Sequence, residues 1–272
     1  MTDDPTLCQP FDSMAEMPGR LPSTRTRAEG LWVDSSISPF FSIESNLDFF
    51  YFEGMEKANS RSFKLAVFDL DGTLTRERSI WEYIHKRLGK WYGYAEIYQH
   101  QFRAGEITYE EFCERDALVW KGMRVAEMVE IAKTVPFHSG ADDLIRYMKQ
   151  KGLTLSLVSS GLSVLSNWVH RRFGFDFSIS NDLLHENGIL TGKVKIRVHN
   201  DQKAEWVRSI LKRFDLRPEE SIAIGDSSGD LEMFRTTGYS IAFNSSSREL
   251  DRIATHRVES QNLTDIIPKL PF

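Results

Sequence analysis

The stretch Lys64-Leu-Ala-Val-Phe-Asp-Leu-Asp-Gly-Thr-Leu-Thr75 decides the fold class of this 272-residue chain, because an apolar run ends abruptly in acidic residues. A short apolar run closed by a glycine turn is typical of a buried parallel strand. In an open α/β sheet ligands bind at the carboxyl ends of such strands, which is where Asp69 and Asp71 fall. The two carboxylates repel each other unless a cation or a chemical role uses them. Taken alone, the stretch also fits an ordinary solvated Asp-Gly turn.

A second apolar run, over residues 151–158, ends in Ser159-Ser160-Gly161 before a helical pattern over residues 162–173. Small residues between a strand and a helix leave backbone N–H groups free to bind a phosphate. The same residues are also typical of a plain helix N-cap, so this signal gains weight only beside the others.

A third apolar run, over residues 221–225, leads into Asp226 and Asp230 at the start of another helical pattern. Two more carboxylates at a strand end are costly unless a metal ion gathers them. Lys203 lies between the second and third runs, at the start of a predicted helix over residues 202–214. A single lysine there is usually uninformative, but this one falls in the chain order that a phosphate site would need.

In this order the four segments resemble the motifs of the haloacid dehalogenase superfamily of aspartate-nucleophile phosphatases, in particular its phosphoserine phosphatase-like branch. Asp69-Leu-Asp-Gly-Thr73 matches the family's D-x-D-x-T, and Val158-Ser-Ser-Gly161 matches V-S-G-G with one glycine replaced by serine. Lys203 matches the third motif, and Gly225-Asp-Ser-Ser-Gly-Asp230 matches G-D-x-x-N-D with glycine in place of asparagine. The resemblance runs from residue 63 or so to the C-terminus.

The resemblance implies a reaction in which Asp69 is the nucleophile and Asp71 the general acid and base. A carboxylate can attack phosphorus and form an acyl phosphate, which splits one difficult displacement into two easier ones. Four acids would repel a dianionic phosphate, so a Mg²⁺ cofactor is expected. Its implied ligands are the Asp69 carboxylate, the Asp71 backbone carbonyl and Asp226, with Asp230 holding the surrounding shell.

The same resemblance implies four phosphate-binding residues. Thr73 would hold the turn that carries the two first acids. The Ser159 hydroxyl, the Ser160 N–H and the Lys203 ammonium would stabilise charge on the phosphoryl group during transfer.

Two departures from the phosphoserine-specific pattern concern the substrate. Those family members carry a glutamate nine residues beyond the nucleophile, which helps to bind the substrate amine; counting without gaps places Arg78 there, with Glu77 beside it. They also carry a cap arginine for the substrate carboxylate, and either Glu114 or Arg115 falls at that position. A one-residue shift in each alignment would restore the family pattern, so both alternatives stay open. We expect Arg78 and Arg115 to contact the substrate.

An arginine near the non-reacting end of the substrate favours a carboxylate or a second phosphate over an ammonium. The expected substrate is therefore a small, anionic, polar phosphate ester, with phosphoserine the leading candidate by resemblance. One alternative is a phosphatase or phosphotransferase for another small metabolite phosphate. Another is a non-catalytic, phosphate-binding regulatory member, which the intact Asp69 and Asp71 disfavour.

The order of the patterns predicts an α/β fold: a three-layer Rossmann-like sandwich with a parallel central sheet and an inserted helical cap. Four helical patterns follow the first motif directly and interrupt the strand–helix alternation, at residues 79–88, 93–103, 108–120 and 125–134. The family inserts its cap at this point. We therefore predict a phosphatase domain over residues 61–272, with its core at 61–76 and 137–272 and its cap at 77–136.

Residues 1–60 differ in composition from the rest of the chain. They hold five of the nine prolines and ten acids against four bases, a charge of −6 that leaves +1 for the remainder. We predict a disordered or non-native extension here, and Met55 as an alternative start of the native protein. Residues 1–54 would then be dispensable.

The composition limits which classes of binding partner and which cellular compartment we expect for this chain. A net charge of −5 argues against nucleic acid or an anionic membrane as the main partner. The partner that the resemblance implies is a small-molecule phosphate ester. No apolar run approaches the ~20 residues that span a bilayer, and the acidic N-terminus is no signal peptide. Cys8 and Cys113 have no framework spacing, so a reducing, cytoplasmic setting is expected. Monomer and homodimer remain equally open.

Overall fold

The computed structural model describes residues 62–272, whose central element is a seven-stranded sheet. The strands are β1 (Leu65–Phe68), β2 (Thr154–Leu162), β3 (Phe177–Glu186), β4 (Ile189–Lys195), β5 (Ser221–Gly225), β6 (Tyr239–Phe243) and β7 (His256–Val258). Their order across the sheet is β4-β3-β2-β1-β5-β6-β7, and only the β3–β4 pair among them is antiparallel. The predicted α/β fold with a mostly parallel sheet is confirmed.

Helices cover both faces of this sheet or follow its strands. They are α1 (Ile80–Arg87), α2 (Glu96–Arg103), α3 (Tyr109–Val119), α4 (Val125–Lys133), α5 (Ala141–Gln150), α6 (Ser163–Phe173), α7 (Lys203–Arg213), α8 (Leu231–Thr236) and α9 (Arg248–Ile253). A π-helical turn, Trp91–Ala95, precedes α2, and 3₁₀ turns lie at Pro218–Glu220, Ser228–Asp230 and Leu263–Lys269. Pro268 lies inside the last of these turns and has no N–H to donate.

Side chains alternate between the two faces of β1, so the strand contributes to two apolar clusters. Ala66 and Phe68 pack into the larger cluster, which also contains Ile84 and Trp120 from the helices that follow β1. Leu65 and Val67 pack on the opposite face, against the side of the sheet covered by α7. The helices predicted as a cap therefore share a core with the sheet instead of being held by a linker alone.

The two chain segments that lead into and out of these predicted cap helices run side by side and are joined by backbone hydrogen bonds. The Arg76 N–H donates to the Pro136 carbonyl at 2.9 Å, and the His138 N–H donates to the Leu74 carbonyl at 3.0 Å. Thr75 forms an antiparallel bridge with Phe137. These contacts lie at the two ends of the predicted cap, residues 77–136; the cap boundaries stay a prediction.

Two local features are defined by hydrogen bonds and dihedral angles. The Thr108 hydroxyl accepts from the Glu111 N–H, and the Glu111 carboxylate accepts from the Thr108 N–H, forming the capping box that starts α3. Asn187 and Gly188 have φ values of 49° and 77°, which is the backbone of a two-residue hairpin turn between β3 and β4.

Several predictions concern residues that the structure does not describe. The extension over residues 1–60, the alternative start at Met55 and the unpaired Cys8 all lie outside residues 62–272. Within that range Cys113 is buried and forms no disulfide. None of the helices there has the length and apolar character needed to cross a membrane.

Candidate active site

Three adjacent strands deliver the predicted motifs to one edge of the sheet. Phe68 of β1 is in register with Leu157 of β2 on one side and with Ile224 of β5 on the other. Asp69 comes one residue after Phe68 and Asp226 two residues after Ile224, so both acids follow their strands at the same edge of the sheet. The chain passes from β1 to β2 on one side and later returns to β5 on the other, so this edge is the switch point where open α/β sheets bind ligands.

A cluster of three buried carboxylates lies at this edge. Asp69, Asp226 and Asp230 are 4%, 1% and 0% exposed, and each offers an oxygen within 4.8 Å of the others. The Thr73 hydroxyl lies between two of them, 3.4 Å from Asp69 Oδ2 and 3.2 Å from Asp226 Oδ1. Thr73 thus links the first and fourth motifs, across 153 residues of sequence.

Lys203, the first residue of α7, is buried beneath the cluster and neutralises part of its charge. Its Nζ donates to Asp69 Oδ1 at 2.5 Å and to Asp230 Oδ1 at 2.7 Å. Burial alone would lower the pKa of Lys203, but the Asp230 and Asp69 carboxylates raise it above the ordinary value. The ammonium therefore stays charged and holds the Asp69 carboxylate in one orientation.

Both carboxylate oxygens of Asp230 accept hydrogen bonds from neighbouring residues. Its Oδ1 accepts from Lys203, and its Oδ2 accepts from the N–H groups of Asp226 and Ser227 at 3.0 Å each. Its contacts position Lys203 and the turn after β5. This arrangement supports the predicted role of Asp230 in holding the shell around a metal.

Asp71 lies at the same strand end with its carboxyl group poorly satisfied. Its Oδ1 is shielded from solvent without a hydrogen-bond partner, and its Oδ2 accepts from the Ile80 N–H at 3.3 Å. Burial, followed by the nearby charge of Asp69, raises the pKa of Asp71 to about 7. Burial also raises the pKa of Asp69 to about 6, although the Lys203 ammonium acts against that rise. Near neutral pH, Asp71 can therefore keep a proton to donate while Asp69 is largely ionised.

The donor set around Asp69 fits a hard divalent cation. Burial and the charges of Asp69 and Asp230 raise the pKa of Asp226 well above its usual range, so the cluster is short of positive charge. Carboxylate and carbonyl oxygens are the ligands that Mg²⁺ prefers. The Asp71 backbone carbonyl accepts no hydrogen bond from residues 62–272 and is free to join the carboxylates as a ligand.

Arg78 supplies the second positive charge at the cluster. Its Nη1 donates to Asp226 Oδ2 at 2.8 Å and its Nη2 to the Asn244 carbonyl at 2.8 Å. From the sequence we predicted that this guanidinium lies near the non-reacting end of the substrate. In the structure it is turned to the acid cluster instead, where it is the ion-pair partner of the buried Asp226.

The Ser159–Gly161 segment closes the opposite side of the acids. The Ser159 hydroxyl oxygen accepts from the Gly161 N–H at 2.9 Å, so its hydrogen remains free to donate. The Ser160 carbonyl accepts from the Tyr109 hydroxyl at 2.8 Å and from Asn181 Nδ2 at 2.9 Å, which ties the cap to the sheet. A Cβ on Gly161 would lie 2.5 Å from Asp71 Oδ2, so no larger residue fits there without displacing the carboxyl.

A cavity of about 210 Å³ opens above these groups, between the sheet edge and helices α1 to α3. Its lining includes the predicted residues Asp69, Asp71, Arg78, Ser160 and Lys203. Thr73, Asp226 and Asp230 lie beneath, linked by the hydrogen bonds described above, and Ser159 lies beside Gly161.

The structure does not bring Arg115 or Glu114 to this cavity. The Arg115 guanidinium donates to Gln101 Oε1 at 3.0 Å and lies over the ring of Tyr98, and neither of these two residues lines the cavity. The prediction that Arg115 contacts the substrate therefore has no support from this arrangement. Arg115 follows the lining residue Phe112 by three positions, so helix spacing alone leaves it near the cavity face; its contacts with Gln101 and Tyr98 hold the guanidinium away from the cavity.

Several lining residues escaped the sequence analysis. Gln99 and Arg103 of α2 lie on the cavity, together with Phe102 and with Asn200 from the loop before α7. The spacing of Gln99, Phe102 and Arg103 (i, i+3, i+4) marks one face of a helix. That signal alone does not say which structure the face meets, so the sequence could not assign it to the site.

Comparisons with known proteins agree with this geometry. The family model described as haloacid dehalogenase-like hydrolase matches residues 66–235. A phosphoserine phosphatase of Idiomarina loihiensis is 30% identical over 204 residues, covering 75% of this chain and 91% of the relative. One of Albidiferax ferrireducens is 32% identical over 214 residues, covering 75% and 88%. One of Archaeoglobus fulgidus is 31% identical over 215 residues, but this chain spans only 62% of its length.

Solved structures share the fold. A phosphoserine phosphatase described as a phospho-aspartyl intermediate analogue superposes with a TM-score of 0.67 at 24% identity, covering 77% of this chain and 99% of that one. A substrate-bound phosphoserine phosphatase complex gives 0.68 with the same identity and coverage. At this identity the likeness concerns the arrangement of the strands and helices.

Proposed function

Because the chain belongs to the haloacid dehalogenase-like hydrolase family, we propose that it is a magnesium-dependent phosphomonoesterase that works through an aspartyl-phosphate intermediate. The buried pairing of Asp69 with Lys203, beside an Asp71 that keeps its proton near neutral pH, supports this function best. A protein that only binds phosphate would have no use for an ionised carboxylate and a proton donor at one strand end.

In the first step an Asp69 oxygen attacks the phosphorus, and the bond from phosphorus to the ester oxygen breaks. Lys203 and Thr73 hold the Asp69 carboxylate during the attack. Asp71 gives its proton to the leaving oxygen, which departs as an alcohol. Lys203, the Ser159 hydroxyl and the Ser160 N–H stabilise charge on the phosphoryl oxygens.

In the second step Asp71, now ionised, takes a proton from water. The resulting hydroxide attacks the phosphorus of the acyl phosphate, the bond to Asp69 breaks, and inorganic phosphate and the free carboxylate are regenerated. A carboxyl with a pKa of about 7 suits both steps, because a general acid–base group works best when its pKa lies near the working pH.

The Asp69 carboxylate, the Asp71 backbone carbonyl and Asp226 would hold Mg²⁺, with Asp230 fixing the turn that carries Asp226. Bound there, the ion supplies charge neutralisation between the acids and the phosphate oxygens.

The substrate we propose is a small polar phosphate ester, with phosphoserine the leading candidate because the relatives above bear that name. The cavity of about 210 Å³ is smaller than the roughly 300–1,000 Å³ of pockets for drug-sized ligands, which suits a small ester. The cytoplasmic setting expected from the two cysteines remains a proposal that cell fractionation would test.

A phosphate-release assay tests the proposed function. We expect hydrolysis of an activated aryl phosphate that requires added Mg²⁺ and stops with EDTA. Absence of phosphate release with Mg²⁺, from aryl phosphate and from phosphoserine alike, would contradict it.

A further inference from the structure

Three cationic side chains line the cavity in the described part of the chain, and two of them are already engaged. Lys203 is bound to Asp69 and Asp230, and Arg78 to Asp226 and the Asn244 carbonyl. Arg103 is the third. No hydrogen bond or ion pair joins its guanidinium to another residue of 62–272, and its side chain is exposed at the cavity.

Arg103 lines the cavity from α2, a different element from those that carry the reacting acids. The helix presents Gln99, Phe102 and Arg103 to the cavity on one face, whereas the reacting acids line it from the sheet edge. Phe102 packs against Tyr109 and Phe112, which also line the cavity, so the base of this face is fixed by aromatic contacts.

Apart from the two reacting acids, the described part of the cavity lining has no carboxylate that could pair with a positive charge on the substrate. Asp69 and Asp71, the two reacting acids, are the only carboxylates lining it in residues 62–272. Glu82 comes within 3.4 Å of Gln99, but its carboxylate is paired with Lys86 at 2.5 Å and does not line the cavity. An ammonium on the substrate would therefore meet arginine and amide groups without a neutralising acid.

We propose that Arg103 binds an anionic group of the leaving alcohol, a carboxylate or a second phosphate, and that an ammonium beside that group contributes little to recognition. The fork of N–H donors on a guanidinium suits either anion. This inference rests on the proposed phosphatase function. It assigns substrate specificity to Arg103 in α2, and not to Arg115 in α3.

The test compares three phosphate esters on the wild-type protein and on three variants. Phosphoserine and phosphoglycerate differ in that a hydroxyl replaces the ammonium, and phosphoethanolamine keeps the ammonium but lacks the carboxylate. The variants are Arg103→Gln, Arg103→Lys and, as a matched control, Arg115→Gln, a cap arginine that does not line the cavity.

For wild type we expect phosphoserine and phosphoglycerate to have similar KM values, both well below that of phosphoethanolamine. Arg103→Gln should raise KM for the two carboxylate esters about tenfold, as expected for one charge-assisted hydrogen bond at an exposed site, with little change in kcat. Arg103→Lys should restore part of the loss. Arg115→Gln should leave the KM values of all three esters unchanged.

Equilibrium binding separates this inference from the proposed function. Titration calorimetry with phosphoglycerate and Mg²⁺ in an Asp69→Asn background needs no turnover, and adding Arg103→Gln should weaken binding there by the same factor. Unchanged KM and unchanged binding in Arg103→Gln, or a preference of wild type for phosphoethanolamine, would overturn the inference. Missing aryl phosphate hydrolysis would contradict only the proposed function.

Discussion

Replacing Asp71 by asparagine should abolish turnover and, at the same time, stabilise the folded protein. The Asp71 carboxyl is shielded and its Oδ1 has no partner, and these conditions penalise the ionised form. Asparagine has nearly the same shape and never ionises. It can neither donate the proton to the leaving group nor activate water, so kcat should fall by about 10²–10⁴.

The size of the stabilisation follows from the pKa. A rise from the ordinary 3.8 to about 7 corresponds to roughly 4 kcal/mol of free energy, at about 1.4 kcal/mol for each tenfold change in the proton equilibrium. Asp71 is partly exposed, so water reduces that figure. We expect Asp71→Asn to raise the free energy of unfolding by about 2–4 kcal/mol above pH 7, or Tm by about 5–15 °C.

The pH dependence gives the sign of the effect. A carboxyl whose pKa is higher in the folded than in the unfolded state costs stability only when the unfolded chain would ionise it. The advantage of Asp71→Asn over wild type should therefore be near zero around pH 4, grow as the pH rises, and level off above about 7.

Urea unfolding of wild type and variant at pH 4, 6 and 8, in EDTA so that metal binding does not add stability, measures this difference. Asp142→Asn is the matched control, since Asp142 is 58% exposed in an ion pair on α5 and should change stability little at any of these pH values. Equal stability of Asp71→Asn and wild type at pH 8 would refute the assignment of a raised pKa to Asp71.

Two further predictions concern Arg78 and the N-terminal segment. Arg78→Ala should lower the Kd for Mg²⁺ about fivefold, because the guanidinium competes with a cation for Asp226 Oδ2. Calorimetric titration measures this Kd. Unchanged or weaker Mg²⁺ binding would contradict the competition. Deletion of residues 1–54 should leave a stable, active protein that starts at Met55, and limited proteolysis should produce a similar fragment; an insoluble or inactive fragment would show that the segment is needed.

The sequence predicts the strand ends well because each motif is local. An apolar run followed by small or acidic residues defines a parallel strand and its carboxyl end, and parallel strands bring those ends to one edge. The meeting of Asp69 with Asp226 therefore follows from the order of the motifs. The pairing of Lys203 with Asp69 and Asp230 follows from the same order together with the family resemblance.

The cap could not be predicted at the same level, because its side chains meet the site through contacts distant in sequence. Arg78 is drawn to Asp226, 148 residues away, by a buried charge that the local sequence does not reveal. Arg103 reaches the cavity through the orientation of α2, whereas Arg115 lies one helix further on and turns away. Spacing identifies a helix face, but packing decides what that face meets.

A covalent phosphoryl group on Asp69 tests the central claim most directly. In Asp71→Asn an activated aryl phosphate needs no proton for its leaving group, so Asp69 should still be phosphorylated, whereas the base for hydrolysis is missing. Acid-quenched samples should show a burst of about one phenolate per enzyme and a mass increase of about 80 Da on the peptide that contains Asp69. Asp69→Asn should show neither the burst nor the adduct. An adduct on another residue, or turnover by Asp69→Asn at more than a few per cent of wild type, would contradict the aspartyl-phosphate mechanism.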